Sequence, residues 1–93
     1  MGYARVVTFE SVSRERIEEI RSEMGGGPPE GVPAKEIIVL HDADAETSVV
    51  IVFFDSEEDY RQGDEALNAM PADDTPGNRT SVTKYEVPIR MTA

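Results

Sequence analysis

His41 and Asp42 are neighbouring residues whose types suit acid–base catalysis, and His41 is the only histidine in the sequence. An imidazole titrates near neutral pH, and a carboxylate beside it can orient it as a general base. Neighbouring residues of a strand point to opposite faces, however, so Asp42 is poorly placed to buttress the ring. His41 is therefore the one candidate catalytic residue, and an ordinary surface or interface histidine is the alternative.

Arg5 is the most informative candidate for ligand binding, because Ala4 and Val6 flank it in an apolar stretch. A guanidinium inside a sheet layer needs an anionic partner, either a carboxylate across the sheet such as Glu86 or the acid group of a ligand. Tyrosines can line a cavity and donate hydrogen bonds, although simple core packing is their alternative role. The further candidate ligand contacts are Tyr3, Tyr60, Tyr85 and Asn68. For Asn68 the alternative is a helix-surface amide.

Two stretches of the sequence resemble a phosphate-binding loop and a calcium-binding loop, but each lacks residues that its motif requires. The triplet Gly25–Gly27 is followed by no Lys-Ser/Thr and comes after a predicted helix, so it is not a phosphate-binding loop. The acidic run from Asp42 begins like a calcium loop, but Thr47 and Phe53 stand where glycine and a bidentate glutamate are required. The sequence has no cysteine, which removes thiolate chemistry. We expect no metal and no cofactor.

The elements that must position these residues follow a simple order of strand, helix, strand, strand, helix, strand. The predicted strands are Tyr3–Phe9, Ile37–Leu40, Ser48–Phe54 and about Thr80–Arg90. Ser13 and Ser56 are the expected N-caps of the helices, which end at Gly25–Gly27 and Pro71. Two right-handed strand–helix–strand units predict one α+β domain over residues 1–93, with a ferredoxin-like antiparallel sheet and both helices on one face.

The third strand raises the question of what covers the second face of the sheet. Val49, Ile51 and Phe53 point one way, while Val50, Val52 and Phe54 point the other. Only one set can pack beneath the helices, and a chain of 93 residues has no further element for the other set. We therefore expect a second copy to pack sheet against sheet as a two-fold homodimer.

The composition narrows the range of partners. The formal net charge is −10, so nucleic acid and anionic membrane surfaces are not expected to bind. No apolar stretch approaches the roughly 20 residues needed to cross a bilayer, and a cytoplasmic protein is the expectation. The acidity is consistent with solubility or with a salty habitat, and the sequence leaves both interpretations open.

The sequence resembles the small dimeric α/β-barrel proteins related to antibiotic-biosynthesis monooxygenases. The likeness is carried by "ARVVTFE", "SRERIEEI", the long stretch "IVLHDADAETSVVIVFFDSEEDYRQGDEALNAM" and the closing "TSVTKYEV". The resemblance implies a small organic substrate held between sheet and helices, and oxidation by dioxygen without a cofactor. Haem degradation is not implied, since relatives with that activity rely on a tryptophan and this chain has none.

Two functional hypotheses follow. The first is a homodimeric small-molecule-binding protein, with cofactor-independent oxidation of a small aromatic or acidic compound, in which Arg5, His41 and a tyrosine contact the substrate. The second is a noncatalytic dimeric module that senses a ligand or only assembles. Glycine-bearing turns typical of amino-acid-sensing relatives are missing after the first strand, where the sequence reads Glu10-Ser11-Val12-Ser13.

Overall fold

The computed structural model describes residues 2–23, 31–69 and 77–91. Its elements are β1 (Gly2–Glu10), α1 (Arg14–Glu23), β2 (Glu36–Asp42), β3 (Thr47–Phe54), α2 (Glu57–Asn68) and β4 (Asn78–Val87). In the described residues the fold is α+β, with a four-stranded antiparallel sheet and two helices, which is consistent with a ferredoxin-like arrangement. The predicted helix ends at Gly25–Gly27 and Pro71 lie outside the described residues.

The sheet has the strand order β2-β3-β1-β4, so β1 and β3 are its inner strands. The predicted last strand begins two residues too late and ends three residues too late, because β4 runs from Asn78 to Val87. Pro88 follows immediately, and its ring nitrogen has no hydrogen to donate to a neighbouring strand. The chain therefore leaves the sheet at this proline.

A serine side chain caps the N-terminus of each helix, as the sequence predicts. The Arg16 backbone N–H donates to Ser13 Oγ over 3.1 Å, and the Asp59 N–H donates to Ser56 Oγ over 3.1 Å. Each bond satisfies a backbone donor that the first helical turn leaves without a partner. Helix α2 also has three acidic residues in its first turn, where they favour the positive end of the helix dipole.

The helices cover one face of the sheet, and the core lies there in two clusters. Under α2, Tyr60 packs with Val52 and Phe54. Toward α1, Val7, Phe9 and Val12 form the second cluster, and Ile17 of α1 packs against it. Residues directly opposite one another on neighbouring strands share a face, and the register pairs Val7 with Val50 and Arg5 with Val52. Both helices therefore pack on the same side.

Gly63 explains how α2 approaches the sheet so closely. A Cβ atom built at this position would overlap the Phe54 ring. The glycine, which lowers helix propensity by about 1 kcal/mol relative to alanine, lets the helix backbone lie directly on that ring. The close approach that this glycine permits is therefore between α2 and the sheet.

The other face of the sheet, the open face, is apolar, and neither described helix covers it. Its large residues are Val6, Ile38, Leu40, Val49, Ile51, Phe53, Tyr85 and Val87. Leu40 is 52% exposed and Tyr85 is 54% exposed. The residues after Pro88 reach across one end of this face, where the Arg90 guanidinium contacts Glu36 and lies 4.7 Å from the Phe53 ring centroid.

Neither of the described helices has the length and apolar character that crossing a membrane would require.

Candidate functional site

The sheet and α2 meet at a partly buried ion pair. Arg5 Nε donates to Asp64 Oδ1 over 2.7 Å, and Arg5 Nη2 donates to Asn68 Oδ1 over 3.0 Å. The Arg5 side chain is 5% exposed, whereas that of Asp64 is 34% exposed. Asp64 and Asn68 lie one helical turn apart, so both present their oxygens to the same guanidinium. Arg5 therefore has an internal carboxylate partner.

The predicted partner of Arg5 was wrong in detail. Glu86 lies directly across from Tyr3, and the residue across from Arg5 on β4 is Lys84. The carboxylate comes from the helix above the sheet, because the residue opposite Arg5 on β4 is a cation and cannot compensate its charge. Asn68 is exposed overall, yet its amide oxygen accepts from both Arg5 and Arg79, so it is more than a surface amide.

Next to this ion pair, the side chains of two tyrosines and a lysine pack against one another. The rings of Tyr3 and Tyr60 meet edge to face, with centroids 6.4 Å apart. Lys84 Nζ lies 4.9 Å from the Tyr3 centroid and 5.1 Å from the Tyr60 centroid, within cation–π range. The Lys84 side chain is 43% exposed, and its nearest carboxylate, Glu57, is 3.8 Å away. Its ammonium is thus held between aromatic rings while it remains open to solvent.

The two phenols are held in their protonated form. Desolvation raises the pKa of Tyr60 above its ordinary value of 10.0, and the Asp64 carboxylate raises it further while Arg5 lowers it. Desolvation also raises the pKa of Tyr3, with the Glu57 and Glu86 carboxylates adding to the shift. Both hydroxyls can therefore donate hydrogen bonds at neutral pH, and Tyr3 donates to Glu57 Oε2 over 3.4 Å.

His41 lies far from this cluster. It is on the helix-covered face, opposite Ser48, in a row four residues along the strands from the row of Arg5, which is about 13 Å. Its Nδ1 is 2.8 Å from Ser48 Oγ. Asp42 does not orient the ring, since its Oδ1 accepts the backbone N–H groups of Asp44 and Ala45 instead.

The sequence candidates are thus only partly brought together. Tyr3, Arg5, Tyr60 and Asn68 form one cluster, His41 stands apart on the same face, and Tyr85 lies on the open face because it pairs with Ala4. A single ligand that touches both His41 and Arg5 is not supported by this spacing. The sequence candidates did not include Asp64, Lys84, Arg79 and Ser48. For Asp64 a signal existed, because it follows Tyr60 by four residues on the buried side of α2.

An open pocket of about 530 Å³ lies at one end of the sheet, and none of these candidates lines it. Phe53, Val87, Pro88 and Arg90 contribute to its walls. Among the described residues, no three histidine or acidic side chains are grouped so that they could hold a metal ion.

Comparison with known proteins gives no relative: no family model, no curated protein and no solved structure matches this chain.

Proposed function

We propose that this protein is a homodimer that binds a small aromatic or acidic organic compound beside α2, in the manner of the dimeric α/β-barrel proteins it resembles. The observation that carries the binding site is the position of Lys84 Nζ about 5 Å from two tyrosine rings, next to the buried Arg5. Aromatic walls favour a planar ligand, and an accessible ammonium favours an acidic group on it.

The local charge supports an acidic ligand. The chain carries −10 overall, yet three cations, Arg5, Arg79 and Lys84, converge around α2 and β4. The carboxylates that face them are Asp64, Glu57 and Glu86. The cluster is therefore electrically balanced on an acidic protein, so an anion meets less repulsion there than the overall charge of the chain implies. The long contact between Lys84 and Glu57 leaves the ammonium available to a ligand carboxylate.

The open face supports the dimer. Its central residues are apolar or hydroxylic, and its charged residues Glu10, Glu36 and Asp42 stand at strand ends. Each large apolar side chain left in water forgoes roughly 1.5–3 kcal/mol. Two copies of a chain with this charge repel one another wherever carboxylates meet, so an uncharged sheet face suits contact with a second copy. Packing of two such faces would complete the barrel of the resembled family.

Oxidation of the bound compound by dioxygen, without a cofactor, is the activity that the resemblance implies. A noncatalytic dimeric module, which senses a ligand or only assembles, is the second candidate. The observation in its favour is that Asp64 and Asn68 already compensate the Arg5 guanidinium, which gives Arg5 a structural role.

Thermal unfolding in the presence of aromatic acids tests the binding proposal. Benzoate, salicylate and hydroxylated naphthoquinones cover the expected shapes. A ligand at a hundred times its dissociation constant adds about 2.7 kcal/mol to the free energy of unfolding. We expect at least one of these compounds to raise the melting temperature in proportion to the logarithm of its concentration. A flat response across the panel, with a stable dimer, favours the purely structural module.

A further inference from the structure

The open pocket at one end of the sheet lies beside the chain segment that follows β4. This segment, residues 88–90, crosses the end of the open face, and the Arg90 guanidinium contacts Glu36 on β2, the opposite edge strand. The same guanidinium lies 4.7 Å from the Phe53 ring centroid, within cation–π range. Two contacts thus hold the segment in place and define one wall of the pocket.

The other walls of the pocket are largely apolar. Phe53, Val87 and Pro88 line it, and Gly2 at the start of β1 contributes only backbone atoms. The volume of about 530 Å³ lies in the range of roughly 300–1,000 Å³ that is usual for small-molecule sites, in which apolar walls are combined with a few polar groups. The pocket therefore has the size and the walls to accept the hydrocarbon part of a small ligand.

Two polar side chains at this pocket form an ion pair. Lys35 Nζ lies 3.3 Å from Asp55 Oδ1, and both residues line the pocket. The Lys35 backbone N–H donates to the Phe53 carbonyl over 2.7 Å, which fixes the backbone of this lysine beside β3. The two side chains are 61% and 66% exposed, so their mutual attraction contributes little and both charges are open to a ligand.

We propose that this pocket binds a zwitterionic α-amino acid with an apolar side chain. The ligand carboxylate pairs with Lys35 and the ligand ammonium pairs with Asp55, as charge-assisted hydrogen bonds. The two charged groups of an α-amino acid share one carbon atom, so they match two protein charges that lie 3.3 Å apart. The apolar side chain of the ligand packs on Phe53 and Val87.

The balance of charge favours a zwitterion over an anion at this pocket. Arg90 is the second cation that lines it, and Glu36 already compensates its charge. A ligand with only a carboxylate gains Lys35 but is repelled by Asp55, and a ligand with only an ammonium meets the reverse. This site goes beyond the proposed function, and its residues differ from those proposed to bind a ligand at Lys84.

Titration of the intact protein with L-phenylalanine, followed by ¹H–¹⁵N NMR, tests the site. Saturable shifts are expected at the backbone amides of Lys35, Phe53, Asp55 and Val87, whereas the amide of His41, at the other end of β2, should not move. Two analogues are the ligand controls, because 3-phenylpropionate lacks the ammonium and phenethylamine lacks the carboxylate. Each should bind about tenfold more weakly than L-phenylalanine, since each loses one charge-assisted hydrogen bond.

Calorimetry on exposed variants gives the second readout, with folding checked by circular dichroism. K35A and D55N should each weaken the binding of L-phenylalanine about tenfold. R21A, which removes the cation of the exposed Arg21–Glu18 pair on α1, is the matched control and should leave it unchanged.

The proposal is overturned by absence of saturable L-phenylalanine binding, by shifts outside the pocket alone, or by equal affinity for either single-charge analogue. Unchanged affinity in K35A or in D55N overturns it as well. If a variant does not fold, the comparison of the three ligands on the wild type decides. A failed aromatic-acid titration at Lys84 leaves this test unaffected.

Discussion

Arg5 on the inner strand β1 and Asp64 on α2 are joined by a 2.7 Å contact between Nε and Oδ1, across the layer that separates sheet from helix. This pair fixes where α2 sits relative to the strands, and it places Tyr60, one turn before Asp64, beside Tyr3. The same contact removes the need for a ligand anion at Arg5. We therefore expect the anionic group of a ligand to contact the exposed Lys84 instead of Arg5.

Removal of the Asp64 carboxylate is expected to destabilise the fold. In D64A the Arg5 guanidinium keeps its burial but loses its counter-charge, and we expect a loss of about 2–4 kcal/mol in the free energy of unfolding, reduced by the one-third exposure of Asp64. Chemical denaturation measures this loss. E65A, a change of an exposed carboxylate on the same helix, is the matched control and should stay within about 0.5 kcal/mol. The double variant R5M/D64L should recover most of the stability, since it leaves no buried charge.

Gly63→Ala is expected to destabilise the protein although alanine favours helix formation. The new methyl group would overlap the Phe54 ring, and the resulting shift of α2 should cost about 2–3 kcal/mol, more than the gain of about 1 kcal/mol in helix propensity. Denaturant unfolding of G63A and of the exposed control Q62A separates these effects. A G63A protein that is more stable than the wild type would mean that α2 does not lie on Phe54.

Stability is expected to fall at alkaline pH. The folded-state pKa of Tyr60 is raised above its unfolded value of 10.0, so the folded chain retains a proton that the unfolded chain releases. The resulting stabilisation is fully present below pH 10 and is lost as the pH rises through the folded-state pKa. Unfolding of wild type and Y60F between pH 8 and pH 12 should show a shallower alkaline decline for Y60F; identical slopes would contradict the burial of this phenol.

Most of the secondary structure can be predicted from the sequence, because the features that determine it involve residues close together in the chain. The serine caps, the period-two strands and Pro88 act within a few residues, so the structure places each element close to its predicted range. The side of α2 that is buried can also be predicted from nearby residues, because Tyr60 and Gly63 are three positions apart and so share one face of the helix. These signals require no knowledge of which element packs on which.

The site was harder to predict because its contacts join residues far apart in sequence. The Arg5–Asp64 contact spans 59 positions and depends on the axial position of α2 over the sheet, which single-residue patterns do not encode. The face of Tyr85 depends on the register of β4, which shifts at a bulge between Thr8 and Phe9. The sequence names three tyrosines as candidate ligand contacts, and only the register separates Tyr85 from Tyr3 and Tyr60.

The two lysines of the chain provide a matched test of the ligand site. Lys84 lies over the tyrosine rings, whereas Lys35 pairs with Asp55 on an exposed part of the surface. If an aromatic acid binds as proposed, K84A should weaken its binding about tenfold, consistent with about 1.5 kcal/mol for a charge-assisted hydrogen bond, and K35A should leave it unchanged. Calorimetry makes this comparison, and equal loss in both variants would indicate only nonspecific attraction.

The homodimer is tested most directly by the mass of the protein in solution. Ile38 on the open face and Val82 on the helix-covered side of β4 are 37% and 40% exposed, so glutamate at each adds the same charge at similar exposure. In sedimentation equilibrium at micromolar concentration, wild type and V82E should have a mass of 20.4 kDa, twice the 10.2 kDa of one chain, and I38E should have 10.2 kDa. A wild-type mass of 10.2 kDa would contradict the dimer, and an unchanged dimer in I38E would mean that the open face is not its interface.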